Sequence, residues 1–580
     1  MEMNLPRGQN MHYVLRNRCL AAALMAFFSS PFIGAQAQQN AKLPDEVKAY
    51  TSGLPFAMPE IKLPSFPDRT VSIVNYGAVA DGQTLNTRAF ADAVRACASA
   101  GGGTVLVPPG IWRTGPIKME SGVNLHVLQG AVVLFSRRFE DYPLIQRPDS
   151  SQYSCASPIY GFNLENIAIT GKGTFDGWGE AWRPAKKEKL TAAQWKELVA
   201  SGGVVTPDGK IWWPSKEAMN GEAYLAALTA SKKKLTAEEY AGAREFLRPD
   251  LLLLMRCRRV LIDGPTFQNS PKFTVHPVQC EDIVIRDIDV RNPWYGQNAD
   301  GIDIGSCRNV LVYRATVDAG DDAICLKPGT VEKGVVREAA CENIVIVDCT
   351  VYHGHGGFVI GSETYGGARN VSVKNCFFSG TDVGLRFKSA RGRGGVIEKI
   401  FIEGIRMKDI ANEAILFDTF YESGSPESNA QDVSPARRKK EALTERTPRF
   451  RDFQIQNIVC NGAKRAILVM GLPELAVQNI RMTDLVIEAD TGALMLDADG
   501  IALTRAKILT ATSPTIAIRH SRNITLNDVA VPSGADPFLK VEGEDSAAIT
   551  LSGVNLSQAK QGVALGENVS KEAVKKINRE

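Results

Sequence analysis

Apolar residues recur along this chain in short alternating runs that share one internal layout. ENIAIT (165–170), EDIVIRDIDV (281–290), RNVLVYRATV (308–317), ENIVIVDCTV (342–351) and RNVSVKNCFF (369–378) each open on a charged or polar pair and alternate apolar with polar residues. The longer copies then resume after a polar kink, mostly Asn, Asp or Gly. EKIFIEGIRM (398–407), RDFQIQNIVC (451–460), QNIRMTDLVI (478–487) and RNITLNDVAV (522–531) continue the series. The first apolar positions, Ile283, Val310, Ile344, Val371 and Ile400, are spaced by 27, 34, 27 and 29 residues. Period-two alternation broken by a polar kink predicts a strand, a tight turn and a second strand. One such unit cannot bury its apolar face alone, whereas a stack of them shares a long interior. The pattern therefore predicts an all-β parallel β-helix. Separate β-sandwich domains would need hairpin signals such as Asn-Gly and would show no recurring register. Asn309, Asn343 and Asn370, at equivalent turn positions near the start of each copy, suit left-handed backbone geometry or bonding between neighbouring turns.

Before the repeats, Val71–Val74 predicts a strand and Ala80-Asp81-Gly82 a turn. Asn86 and Thr87 would then cap a helix reaching about Ala98, with Phe90, Val94 and Cys97 on one face. Thr104–Val107 predicts a further strand. A helix here would cover the open end of the solenoid core, as repeat proteins require. The organisation expected is a signal peptide (1–37), an aperiodic Pro-punctuated arm (38–68), cap and first coils (69–179), a helical insertion (180–250), a β-helix core (251–556) interrupted by a charged loop (422–449), and a C-terminal tail (557–580). Helices are expected within the insertion near 192–200, 221–230 and 237–246.

Composition changes this picture little. With 44% hydrophobic and 23% charged residues the chain reads as soluble and globular. A net charge of +3 is too small to argue for nucleic-acid or membrane partners, and neither is expected. Arg16 and Arg18 ahead of the apolar run 19–28, and Ala35-Gln36-Ala37 after it, have the layout of an export signal, so a periplasmic or extracellular protein is expected. Of eleven cysteines, Cys257, Cys280 and Cys307 are 23 and 27 residues apart, and Cys325, Cys349 and Cys376 are 24 and 27 apart. That spacing predicts stacked, buried thiols. Disulfides are the minority reading, with Cys341 and Cys349 the nearest local pair.

The candidate chemistry lies in NADGIDIGSCRNVLVYRATVDAGDDAICLK, residues 298–327. Asp300 and the pair Asp321/Asp322 are one coil apart. Asp321 lies eleven residues after Val310 and His355 eleven after Ile344, so the two should stack in register. One repeat further, Arg386 and Lys388 are two apart in an extended run and point to the same face. Clustered carboxylates shift one another's pKa, leaving one protonated as an acid while another stays ionised as a base, the division of labour that glycoside hydrolysis needs. A cationic pair beside them suits a substrate with its own carboxylate. Nearby glycines would admit a sugar close to the backbone. Asp303 and Asp318 read as local turn caps, and His353 as structural. A calcium site at Asp321/Asp322 would need a denser set of oxygens. Tyr421 and His276 are candidate substrate contacts, and Trp178, Trp182, Trp212 and Trp213 could stack on sugar rings.

NADGID (298–303), GDD (320–322), GHG (354–356) and RFK (386–388) resemble, in order and spacing, the four signature motifs of glycoside hydrolase family 28, the polygalacturonases. Tyr76-Gly77-Ala78 through Pro108-Pro109-Gly110 resembles the N-terminal cap of the wider pectin-degrading group. The resemblance covers roughly residues 70–535 outside the two insertions. It implies a right-handed, pectin-lyase-like parallel β-helix that hydrolyses α-1,4-galacturonosyl bonds of pectin with inversion, without metal or other cofactor. Asp321 would then be the general acid and Asp300 and Asp322 the groups that activate water. His355 would tune the acid, and Asn298, Arg386 and Lys388 would bind substrate. Ala299 and Phe387 depart from the commoner Thr and Ile at positions without a chemical role. The two insertions could wall off the groove, which predicts attack at chain ends. The partner expected is a pectic polysaccharide, acted on by a monomer. Competing readings are a hydrolase of rhamnogalacturonan or xylogalacturonan, a calcium-dependent pectate lyase, and a non-catalytic β-helical binding protein.

Overall fold

The computed structural model describes residues 42–577 apart from 149, 232–233, 330, 333–334, 337–338 and 422–438. The expected signal peptide and most of the charged loop therefore lie outside the described residues. The chain divides into a unit ending at Gly53 and a unit from Leu54 to Glu580. In the first, residues 42–51 are helical, where the sequence predicts an aperiodic arm. In the second, residues 54–68 have no regular structure until a strand at Thr70–Ser72; Ile61 is buried and Phe56 lies 6.0 Å from Phe401, ring to ring.

The second unit is a parallel β-helix. Its repeats stack residue on residue: Ile283, Val310, Ile344, Val371, Ile400, Phe453, Ile480 and Ile501 follow one another in register on successive coils. The spacing of 34 between Val310 and Ile344 holds a short antiparallel excursion, Val331–Glu332 with Val335–Val336, which leaves the register intact. Each coil contributes strands to three parallel sheets. The first contains Leu252–Met255, Val275–Val278, Ile302–Ile304, Asp322–Leu326, Gly356–Ile360 and Leu385–Lys388. The second holds the recurring motif, and the third holds the short strands after the kink, such as Asp289–Arg291 and Thr316–Asp318. Inward positions form one continuous apolar core.

The recurrent asparagines near the start of the motif strands do both jobs expected of them. Asn309, Asn343 and Asn370 have φ of 57°, 58° and 56°. Their amides also form a ladder: Asn309 Nδ2 donates to Asp282 Oδ1 (3.2 Å), Asn343 Nδ2 to Asn309 Oδ1 (3.1 Å) and Asn370 Nδ2 to Asn343 Oδ1 (3.0 Å). At the start of the same strands, charge alternates coil by coil through Glu165, Arg258, Glu281, Arg308, Glu342 and Arg369. Glu398 and Arg451 continue it. Arg308–Glu281 and Arg369–Glu342 close at 2.8 Å and Arg451–Glu398 at 2.6 Å.

All ten described cysteines are free and buried, as their spacing predicts, and Cys341 and Cys349, the pair for the minority disulfide reading, are not bonded. Cys257, Cys280 and Cys307 form one interior ladder, with the amide of each earlier residue donating to the sulfur of the next (3.3 Å). Cys341 continues this ladder, and Cys349 and Cys376 stack in another column. Cys325 does not join them: it pairs with Val359 in the first sheet. Similar sequence spacing placed residues of two different sheets in one series.

The N-terminal helix runs from Thr87 to Ser99 and buries Phe90, Ala93, Val94 and Cys97. Asn86 precedes it without capping it. Its side chain accepts from Val79 N–H (2.8 Å) and donates to the Val79 carbonyl (3.0 Å), tying the preceding loop instead. At the other end the stack runs beyond 556: Val563–Leu565 and Val574–Ile577 pair in register with Leu539–Val541 and Ile549–Ser552, where a tail is expected. The insertion carries helices at Ala192–Ala200, Lys216–Ser231 and Ala237–Ala241, with a small antiparallel sheet the alternation did not reveal.

Candidate active site

The first sheet carries the acidic cluster. Asp322 begins a strand whose partner begins at Gly356, so Asp321 and His355 stand opposite each other just before it. His355 N–H donates to the Asp321 carbonyl (2.8 Å), and its Nδ1 lies 3.0 Å from Asp321 Oδ1. Asp300, two residues before Ile302–Ile304, lies one coil earlier; Asp322 O accepts from Gly301 N–H (2.9 Å). One oxygen from each of Asp300, Asp321 and Asp322 lies within 4.8 Å of the others.

Two ammonium groups sit among these carboxylates. Lys388 Nζ donates to both oxygens of Asp322 (2.8 and 3.1 Å). Lys327 Nζ lies 3.3 Å from Asp300, 3.5 Å from Asp303 and 3.8 Å from Asp322. Arg386 Nη1 donates to the His355 carbonyl (2.9 Å) and approaches Asp322 Oδ1 at 3.9 Å. The three aspartates are close enough to hold a divalent cation, but Lys327 and Lys388 already supply positive charge there, and an added cation would face both.

Burial and local charge divide the carboxylates. Burial, then the like charges of Asp303 and Asp321, push the Asp300 carboxyl well above its ordinary range. Asp303, fully buried with neither oxygen hydrogen-bonded, is pushed up to about 8, chiefly by burial. For Asp321, burial acts upward, but the hydrogen bond with His355 and the positive charges of Lys388 and Lys327 hold it below the usual range. For Asp322, burial is likewise outweighed by Lys388 and Lys327. Burial and local charge thus favour the protonated form at Asp300 and Asp303 and the ionised form at Asp321 and Asp322.

The structure places the other candidates unevenly. Tyr421 faces the cations: Lys388 Nζ is 5.0 Å and Arg386 Cζ 5.7 Å from its ring centre. Asn298 is engaged through Oδ1, which accepts from Arg248 Nη2 (2.9 Å). His276 is buried, its Nδ1 2.8 Å from Asp250 Oδ2. Burial lowers its pKa, with Asp250 opposing. Trp182 is fully buried edge-on to Phe139 and Tyr142, and Trp212 is buried with its N–H on the Gly202 carbonyl. Neither is open to a sugar. Trp178 packs under Arg137. His353 pairs with Asp318 at the surface (3.0 Å).

Asp303 corrects the turn-cap reading, because it lies within the strand Ile302–Ile304. The alternation Ile302-Asp303-Ile304 held that signal. The glycines answer to the protein's own packing: a Cβ at Gly301 would collide with the Ala323 carbonyl, and one at Gly320 with those of Gly296 and Pro293. Sequence reasoning also passed over Lys327 and Lys189. Lys189 reaches the site from the insertion, with Nζ 2.6 Å from His355 Nε2. A groove of about 1160 Å³ bordered by Arg258, Glu281, Arg308, Glu342 and Arg369 includes none of Asp300, Asp321, Asp322 or His355. The chemistry is not there.

Fold and cluster together define a class: a pectin-lyase-like parallel β-helix with a mixed carboxylate–ammonium site on one sheet. The sequence model of glycosyl hydrolases family 28 matches residues 185–437. A probable polygalacturonase of Vitis vinifera is 29% identical over 351 residues, covering 58% of this chain and 61% of that protein. An exo-poly-alpha-D-galacturonosidase of Dickeya chrysanthemi is 28% identical over 416 residues, covering 70% and 64%. The matched regions thus span under two thirds of the length of these relatives. Among solved structures, an exopolygalacturonase from Thermotoga maritima superposes with a TM-score of 0.63 at 28% identity, over 81% of this chain and 97% of that one. These similarities support membership of glycosyl hydrolases family 28, whose sequence model covers residues 185–437 of this chain.

Proposed function

We propose that this protein hydrolyses α-1,4-galacturonosyl bonds of polygalacturonate and pectin by inverting acid–base chemistry, acting from chain ends after export. The observation that carries the reading is the packing of Asp300, Asp321 and Asp322 within 4.8 Å of one another beside Arg386, Lys388 and Tyr421. Asp321 protonates the glycosidic oxygen; Asp300 and Asp322 orient a water and take its proton. Arg386 and Lys388 receive the carboxylate of a galacturonate, and Tyr421 lies against its ring.

The protonation of the free site fits this assignment only once substrate is bound. Lys388 is one of the charges that keep Asp321 ionised. A uronate carboxylate paired with Lys388 and Arg386 would cancel that influence and raise the proton affinity of Asp321. The proton held on Asp300 then moves within the coupled cluster to Asp321, leaving Asp300 as the base. Family membership supports inversion. Carboxyl separation does not, since short separations of roughly 5 Å accompany retention and wider ones inversion.

Chain-end action draws on the insertion, which reaches the site through Lys189, and on the names of the Dickeya and Thermotoga relatives. Export draws on residues 1–37; no described helix is long and apolar enough to cross a membrane. Digestion of long polygalacturonate, with and without chelator, tests the reading. Saturated monogalacturonate with slow viscosity loss is expected, unaffected by chelator, with proton NMR showing the β anomer first. Unsaturated products would indicate a lyase, and rapid viscosity loss would refute chain-end action. Activity confined to rhamnogalacturonan or xylogalacturonan would redirect the substrate.

A further inference from the structure

Among the described residues, four charged groups contact His355. Asp321 Oδ1 lies 3.0 Å from Nδ1, and Asp382 Oδ2 lies 3.7 Å from Nε2, beyond hydrogen-bonding distance. Arg386 occupies only its backbone carbonyl. Lys189, closing the 3-10 turn Lys187–Lys189 of the insertion, brings Nζ to 2.6 Å from Nε2 and 3.3 Å from the Gly320 carbonyl. An ammonium has three donors and no acceptor, so the ring nitrogen it meets must offer a lone pair. The only imidazole form with a bare Nε2 is the neutral ring with its proton on Nδ1, aimed at Asp321.

We infer that Lys189 is a positioning residue whose ammonium fixes His355 as the neutral Nδ1–H tautomer, so that His355 steadies Asp321 by a hydrogen bond without adding a full positive charge. The catalytic consequence rests on the reading of Asp321 as the proton donor. An imidazolium at 3.0 Å would hold Asp321 as carboxylate, whereas a neutral donor leaves it able to take up a proton when substrate arrives. Asp382 supplies the opposing pull: without Lys189, a proton on Nε2 would face that carboxylate, and the ring would sit between two anions. The insertion thereby sets the charge state of the residue behind the acid.

Nitrogen-15 NMR of the imidazoles in the full-length protein tests this near neutral pH, with His355 assigned among the six histidines by the signal lost in His355→Gln. The unmodified protein should show Nδ1 protonated and Nε2 bare. In Lys189→Met, Nε2 should gain a proton while the His126 and His276 signals stay unchanged. On polygalacturonate, Lys189→Met should lower kcat roughly tenfold or more with KM changed less than about threefold. A proton on Nε2 in the unmodified protein would overturn the inference without any variant being needed. A tautomer unchanged in Lys189→Met would overturn it too, as would a rise in KM alone, which would make Lys189 a substrate contact. If no galacturonan is hydrolysed, the proposed activity fails while the NMR result still decides the tautomer.

Discussion

Lys388 Nζ lies 2.8 and 3.1 Å from the two carboxylate oxygens of Asp322, a bidentate contact between coils in which both side chains are almost wholly buried. Such a pair gains little over apolar packing while intact, yet breaking it leaves a charge stranded. Lys388→Met should therefore lower stability by about 3 kcal/mol, seen as a reduced midpoint in urea unfolding. Its KM for polygalacturonate should also rise, because the galacturonate carboxylate loses a partner.

Asp300 and Asp321 should separate stability from activity. Asp300→Asn resembles the protonated form that burial favours at Asp300, so its melting temperature should match or exceed that of the parent. Asp321→Asn removes an ionised group bonded to His355 and should melt lower. Both should lose roughly 10²–10⁴-fold in kcat, measured by reducing-end release, since each removes one partner of the acid–base exchange.

Asp303 gives a pH signature. Burial pushes its carboxyl up to about 8 in the folded protein, from an ordinary value of 3.8 in the unfolded chain. The folded state therefore binds the extra proton between these limits. The stability this provides is complete below about pH 4 and is lost as pH rises through 8. Asp303→Asn should abolish that loss, so its stability relative to the parent should grow with pH across this window, by up to about 1.4 kcal/mol per pH unit. Urea midpoints at pH 5, 6 and 7, converted with a common m-value, measure it.

The cysteine ladders predict indifference to reductant. With Cys257, Cys280 and Cys307 buried as thiols in the interior, dithiothreitol should leave the melting temperature unchanged within about 1 °C. A marked fall would restore a disulfide.

The register was the legible part. Ile283, Val310, Ile344, Val371 and Ile400 mark their own stacking because inward positions tolerate only apolar side chains and a β-coil repeats its turn chemistry. His355 followed from the same count. Lys189 could not be read this way, since it arrives 166 residues from its partner on an irregular excursion whose docking no period encodes. Lys327 escaped because it lies just past the end of Asp322–Leu326, where alternation no longer assigns a face. Asp303 was legible and misassigned: one polar residue between two buried isoleucines points away from the core within a strand.

The ladder Glu165, Arg258, Glu281, Arg308, Glu342, Arg369 carries a last consequence. Opposite charges meet at every step, so the stack has parity. Duplicating or deleting one coil would set Glu against Glu or Arg against Arg, whereas gaining or losing two preserves the order. Over this stretch, growth of the solenoid is favoured in pairs of coils, and a relative differing by an odd number should have replaced a charge where the copies meet.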